Sequence, residues 1–275
     1  MRFTKMHGIA NDYVVLNGYR DAVRNPGSVA RRLCDRRFGV GADGLLVVLP
    51  SKTADFRMRM FNPDGSEAEM CGNGIRCFGK YVYDHGLTGR RRITVETLAG
   101  TRTIDFSVGG GKVKAVKVDM GEPRLERPEI PMVGVGRAVD EKLLVAGRTF
   151  RFTSVSMGNP HCVIFVKDVA KFPVAEIGPQ IETHRWWPRK VNVEFVEVVS
   201  RKEVRQRTWE RGAGETWGCG TGAAAVCVAG SLTGRTDRRI LDHLLGGDLV
   251  LEWGKDNHVA KTGPAVEVFE GSVKA

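Results

Sequence analysis

Trp209-Glu210-Arg211-Gly212-Ala213-Gly214-Glu215-Thr216-Trp217-Gly218-Cys219-Gly220-Thr221-Gly222-Ala223 joins a strand-like run, Glu203–Glu210, to an alanine-rich segment reaching Gly234. The turn between them is rich in glycine, so backbone and ligand can approach closely there. The N–H groups of a helix start hold an anion, and the same field favours thiolate over thiol. Cys219, at that junction, is therefore placed to be a reactive sulfur.

The chain carries this arrangement twice. Cys71-Gly72-Asn73-Gly74 precedes a second helix-like segment that ends near Gly86, and Cys71 and Cys219 are 148 residues apart. The same offset, without gaps, aligns Asn11 with Asn159, Phe61 with Trp209, Asn62 with Glu210, Glu67 with Glu215, Gly72 with Gly220 and Gly74 with Gly222. A gapless series through both cysteines is an internal duplication, and so long a period predicts two copies of a domain rather than a solenoid. The expected boundaries are 1–117, with 263–275 returning to it, and 118–262. A length of 275 residues and a hydrophobic fraction of 42% suffice for two cores.

Short runs rich in Val, Ile and Phe, separated by Gly, Pro, Asp and Asn, predict many strands. Gly109-Gly110-Gly111 and Gly246-Gly247-Asp248 read as hairpin turns. Helices are few: Val29–Arg37 capped by Ser28, Val174–Thr183, and the two that follow the cysteines. The segment after Cys219 (Ala223-Ala224-Ala225-Val226-Cys227-Val228-Ala229-Gly230) is small and apolar all round, the mark of a buried helix. The fold class expected is α+β: two copies of a strand-rich, mostly antiparallel domain, each wrapped around one buried helix.

The net charge of +10 is scattered, with Arg90-Arg91-Arg92 among the few clusters. No aromatic-basic motif or zinc spacing accompanies it, so no nucleic-acid partner is expected, and an anionic small substrate would also be steered by it. The six cysteines form no Cys-x-x-Cys pair, the N-terminus lacks the apolar core of a signal peptide, and no run approaches membrane-spanning length. A cytoplasmic, reducing setting without membrane partners is the expectation. The histidines show no metal-ligand spacing, so no metal is expected.

Two sulfurs on duplicated domains suit a proton-transfer pair: one takes a proton from carbon, the other returns one to the opposite face, and the stereocentre inverts. An amino-acid Cα–H is a very weak acid, so such a site must exclude water and stabilise the carbanion; helix N-termini aimed at the α-carboxylate do part of this. No pyridoxal-type cofactor is implied. A redox thiol pair is the rival from another class, and the lack of a nearby resolving cysteine counts against it.

Together these residues carry a resemblance. Gly8-Ile9-Ala10-Asn11-Asp12-Tyr13, Phe38–Gly44, Asn62–Ser66, Glu69–Gly74, Met157-Gly158-Asn159-Pro160-His161, Val191–Phe195 and Trp209 through Gly222 occur in one order along essentially the whole chain. In this the chain resembles the diaminopimelate epimerase family, cofactor-independent enzymes that interconvert the LL and meso forms of diaminopimelate. The resemblance implies two pseudo-symmetric domains, each a curved, mostly antiparallel sheet around a central helix, and that Cys71 and Cys219 are the acid/base pair. It implies that Gly72-Asn73 and Gly220-Thr221 offer backbone N–H groups to the carboxylate, and that Asn11, Asn62, Asn159, Asn192 and Arg211 hold the substrate's polar groups. His161 and Glu210 would lie near the sulfurs and tune them, Glu210 contacting substrate as well, and the assembly would be a homodimer. Gly44 departs from the side-chain amide expected there and leaves only backbone or water for contact. A two-cysteine racemase of proline or histidine type is the alternative within the same chemistry.

Overall fold

The computed structural model describes residues 1–274. The chain clusters into two compact units, Met1–Asp119 together with the segment from Thr262 onward, and Met120–Lys261.

The first unit contains β1 (Arg2–Gly8), β2 (Asn11–Asn17), α1 (Pro26–Cys34), β3 (Gly44–Leu49), β4 (Phe56–Phe61), β5 (Glu67–Ala68), α2 (Gly74–Asp84), β6 (Arg92–Thr97), β7 (Gly100–Gly109) and β8 (Lys112–Asp119). The pairings β1/β2, β3/β4, β4/β5, β6/β7 and β7/β8 are antiparallel, while β2/β3 and β4/β6 are parallel. The parallel pairs follow from the insertions of α1 and α2, because two adjacent parallel strands need a crossover. Gly110 and Gly111, both with positive φ, make the β7/β8 hairpin turn that their sequence predicts.

The second unit repeats the plan with β9 (Glu141–Val145), β10 (Arg148–Ser156), β11 (Pro160–Phe165), α3 (Val174–Glu182), β12 (Asn192–Ser200), β13 (Glu203–Glu210), β14 (Gly214–Thr216), α4 (Gly220–Leu232), β15 (Arg239–Leu244) and β16 (Gly247–Trp253). β17 (Val259–Gly263) and β18 (Val266–Ser272) close the chain, and β18 pairs antiparallel with β1. Even the register repeats. Tyr13 pairs with Gly44 as His161 pairs with Asn192, Leu45 with Phe61 as Val193 with Trp209, and Met60 with Ala68 as Thr208 with Thr216. Each of these partners lies 148 positions from its counterpart.

Each sheet is covered on both faces. Phe3, Val14, Leu16, Leu45, Val47 and Phe61 pack against Ala30, Leu33 and Cys34 of α1. In the second unit Phe152, Cys162, Ile164, Val193 and Phe195 pack against Val174, Ile177 and Ile181 of α3, with Trp187 buried beside them. The other face of each sheet wraps the central helix. In α4 every residue from Gly222 to Gly230 is buried, as its uniformly apolar sequence requires. The fold is thus the α+β class with a central helix per unit, its strands paired mostly antiparallel, with parallel pairs at β2/β3, β4/β6, β11/β12 and β13/β15.

Local expectations fail at both ends of α1. α1 begins at Pro26, not after Ser28, because proline is preorganised for the first helical position and Asn25 takes the left-handed conformation before it. It stops at Cys34, where Asp35 Oδ1 accepts from the N–H groups of Arg37 and Phe38 and fixes a turn instead. The β9/β10 hairpin turns on Ala146 and Gly147, both with positive φ.

Candidate active site

Both sulfurs sit at helix starts. In α2 the Ile75 N–H donates to the Cys71 carbonyl at 2.9 Å, and in α4 the Ala223 N–H donates to the Cys219 carbonyl at 3.0 Å. These are matching positions of the repeat. The first turn of each helix therefore presents its amide groups beside the sulfur, where a carboxylate is stabilised. Cys219 is the N-cap of α4, and its Sγ accepts from the Gly222 N–H at 3.3 Å and lies 3.5 Å from Thr221 Oγ1.

The surroundings of the two sulfurs differ in charge. Beside Cys219 stand acids. Glu194 and His161 are fully buried, and Glu194 Oε1 lies 2.8 Å from His161 Nδ1. His161 Nε2 donates to Asn159 Oδ1 at 3.0 Å. Burial pushes the Cys219 thiol well above its ordinary range, and the charges of Glu210 and Glu194 push the same way. Burial also raises the Glu194 carboxyl, with His161 opposing and Glu210 adding to the rise. Glu210 itself accepts a hydrogen bond from Thr216 Oγ1.

Around Cys71 the neighbours are a phenol and a buried cation. Tyr13, in β2, brings its hydroxyl to 2.9 Å from Cys71 Sγ and also to Asn11 Oδ1. Asn11 is oriented by Asp43, whose Oδ2 accepts from Asn11 Nδ2 at 2.7 Å. Arg76, fully buried in α2, donates to Gly72 O at 3.1 Å, Asn73 Oδ1 at 2.9 Å and Pro264 O at 3.1 Å. One unit thus sets a guanidinium beneath its cysteine turn and the other a carboxyl.

The remaining candidates fall in two groups. Asn192 is buried, donates to Pro160 O at 2.9 Å and accepts from the Arg211 N–H at 2.9 Å. Asn62 is spent locally, its Nδ2 donating to Ser66 Oγ at 3.0 Å in a turn, and Arg211 is exposed, donating to Arg189 O at 3.0 Å. Gly44 is buried, and a Cβ there would meet Phe61 O at 3.1 Å. Sequence reading missed two residues of the site, Tyr13 and Glu194. Tyr13 was discoverable, because the 148-residue offset sets it opposite His161; Glu194 falls opposite Leu46, so the repeat gives no signal for it.

His161, Glu194 and Cys219 each bring a donor atom within 4.8 Å of the others. Tetrahedral zinc ligands, with bonds of about 2.0–2.2 Å to nitrogen and oxygen, stand about 3.3 Å apart. The 2.8 Å between His161 Nδ1 and Glu194 Oε1 is instead the spacing of a shared proton. The site as built suits proton transfer at sulfur.

A sequence model of the family described as diaminopimelate epimerase matches residues 3–126 and 153–268. The diaminopimelate epimerase of Moorella thermoacetica is 58% identical over 98% of both chains, and that of Acetivibrio thermocellus is 54% identical over 99% of this chain and 98% of its own. Among solved structures, a Bacillus anthracis phenazine biosynthesis protein of the PhzF family superposes with a TM-score of 0.73 at 17% identity, covering 100% of this chain and 99% of that one. A hydroxyproline epimerase from Agrobacterium vitis gives 0.67 at 16% identity, over 99% and 90%. These distant likenesses show a shared fold. The family model over most of the chain and the identity of more than half with these relatives lead to one conclusion: the chain belongs to the diaminopimelate epimerase family.

Proposed function

We propose that the protein interconverts LL- and meso-diaminopimelate by two-base proton transfer at one α-carbon, serving lysine and peptidoglycan precursor synthesis. The observation that carries this reading is the matched position of Cys71 and Cys219, each closing the first turn of the central helix in one copy of the repeat. Cys219, kept protonated by burial and by Glu210 and Glu194, enters as the acid. Cys71, with the Tyr13 hydroxyl at its sulfur and Arg76 bonded to its turn at Gly72 and Asn73, takes the part of the base in that direction. After one turnover the roles are exchanged, and the reverse reaction restores them. Gly72, Asn73, Gly220 and Thr221 hold the reacting carboxylate on helix-start amides. Asn11, Asn62, Asn159, Asn192 and Arg211 hold the remaining polar groups, Arg211 suiting the distal carboxylate by its bidentate fork. Gly44 contributes only its backbone, and His161 with Glu210 tunes the second sulfur.

The protein is read as a cytoplasmic homodimer, a setting that six unpaired cysteines suit. Among the described residues no helix is long and apolar enough to cross a membrane. The deciding experiment is incubation with LL-diaminopimelate in heavy water, following α-deuterium and isomer ratio together. The expected result is deuterium at Cα of the product and an approach to the LL/meso equilibrium. Deuterium entering only proline or histidine would replace this reading with that of a single-headed amino-acid racemase.

A further inference from the structure

Tyr13 is fully buried, and its hydroxyl touches two atoms, Cys71 Sγ at 2.9 Å and Asn11 Oδ1. A phenol has one hydrogen to give. Which atom receives it depends on the sulfur. The Asn11 amide cannot turn over to compete, because its Nδ2 is tied to Asp43 Oδ2 at 2.7 Å. Asp43 is itself held by Arg36 at 2.7 Å and by the Asp12 N–H at 3.1 Å. A carboxylate only accepts, so Asn11 must present its nitrogen to Asp43 and its oxygen to Tyr13 and Cys71.

We propose that the Tyr13 hydroxyl is a hydrogen-bond switch for Cys71: it donates to the sulfur while that is a thiolate, and turns to Asn11 Oδ1 once the sulfur carries a proton. The proposal rests on Cys71 being a proton-transfer group. In the first state the O–H···S⁻ bond steadies the base. When the thiolate takes the α-proton, the new S–H has the phenol oxygen within reach as acceptor, and the phenol hydrogen moves to Asn11. Asn11 Oδ1 gives up the phenol hydrogen in the thiolate state and regains it in the thiol state, and the proton count balances. Burial and the neighbouring Cys71 hold the phenol itself well above its ordinary range, so it keeps its hydrogen throughout. Tyr13 touches a reacting atom and is in that sense catalytic. His161, its counterpart in the repeat, donates to Asn159 Oδ1 in the same way but with a ring nitrogen.

The test is Tyr13→Phe, which removes one oxygen and leaves the packed ring. Alkylation by iodoacetamide at neutral pH, read by peptide mass spectrometry, gives separate rates for Cys71 and Cys219 in one molecule. Expected is a fall of about tenfold to a hundredfold at Cys71, the worth of one hydrogen bond to an ionised group. Cys219 is expected to be unchanged, kcat for epimerisation to fall by a similar factor, and KM to stay within about twofold. An unchanged Cys71 rate overturns the proposal whatever turnover does, and an equal fall at both cysteines overturns it by marking general disturbance. Alkylation needs no substrate, so if wild-type protein failed to turn over diaminopimelate, the proposed function would fall while the Tyr13 contact was still judged on its own.

Discussion

Gly222 lacks a side chain where the Glu194 carboxyl lies: a Cβ on Gly222 would stand 2.6 Å from Glu194 Oε1 and 3.2 Å from Cys219 Sγ. Neither neighbour is free to retreat, since Glu194 is fully buried against His161 and Cys219 is pinned by the Gly222 N–H. Gly222→Ala is therefore expected to displace the sulfur or the His161–Glu194 pair. A loss of stability of about 1–3 kcal/mol and a larger loss of kcat should follow. Thermal melting and steady-state epimerisation measure the two; wild-type kcat in the alanine variant would show that this packing is irrelevant to the chemistry.

Removal of either sulfur separates a two-base from a one-base scheme. Cys71→Ala and Cys219→Ala are each expected to reduce epimerisation by at least about 10²–10⁴, the contribution of one positioned acid or base. Both variants should keep the wild-type circular dichroism spectrum, because each loses only a thiol. Epimerisation at the wild-type rate in either one would refute the shared-carbon scheme.

Among the described residues, the buried Arg76 has no carboxylate as a hydrogen-bond partner, and its Nη2 has no partner. Burial lowers its proton affinity, opposed by the neighbouring Cys77 and Cys71. Its three bonds fix the turn at Gly72 and Asn73 and hold the carbonyl of Pro264 ahead of β18. Arg76→Met keeps the volume and strands these acceptors, so a destabilisation of about 2–4 kcal/mol is expected by urea titration. Cys71 alkylation should slow as well. A neutral outcome on both counts would make the guanidinium a mere space-filler.

Burial lifts the thiols of Cys34, Cys77 and Cys227 to about 11, about 12 and about 12 respectively. In the unfolded chain a thiol ionises near pH 8.5. The folded values are the higher ones, so the stability these groups contribute is complete below about pH 8.5 and is lost as pH climbs toward the folded values. Each costs about 1.4 kcal/mol per pH unit across that window. The melting temperature should be level from pH 7 to 8 and fall steadily from pH 9 to 11, and Cys77→Ala should flatten the fall. A melting temperature constant up to pH 10.5 would contradict the assignment.

The repeat made much of this legible before any coordinates. Two glycine-flanked cysteines at one offset pointed to two central helices, and that offset reproduces strand register to the residue at Tyr13/Gly44 and His161/Asn192. What sequence could not supply was the third dimension of each half-site. Glu194 alternates in an ordinary strand pattern, and only folding brings it under the first turn of α4. Arg76 reads as one more surface arginine until burial is known. At Asn62 the Asn-Pro-Asp-Gly spacing is a turn in its own right, and the side chain donates within that turn to Ser66 Oγ.

Gly44 is the sharpest case in which the repeat and local packing disagree. Its counterpart Asn192 has a side chain that reaches Pro160 O. At Gly44 a Cβ would lie 3.1 Å from the carbonyl of Phe61, 3.3 Å from Met60 Cε and 3.5 Å from the Tyr13 ring. Met60 can shift, but the carbonyl belongs to β4 and is held by the β3/β4 ladder. An asparagine added here would also press on the ring that positions the Tyr13 hydroxyl. Gly44→Asn is expected to cost about 1–2 kcal/mol, lowering the melting temperature by about 2–8 °C, without lowering KM for diaminopimelate. A variant that binds substrate more tightly than wild type, with unchanged melting, would mean that this position has room for the amide and that its loss weakened a substrate contact.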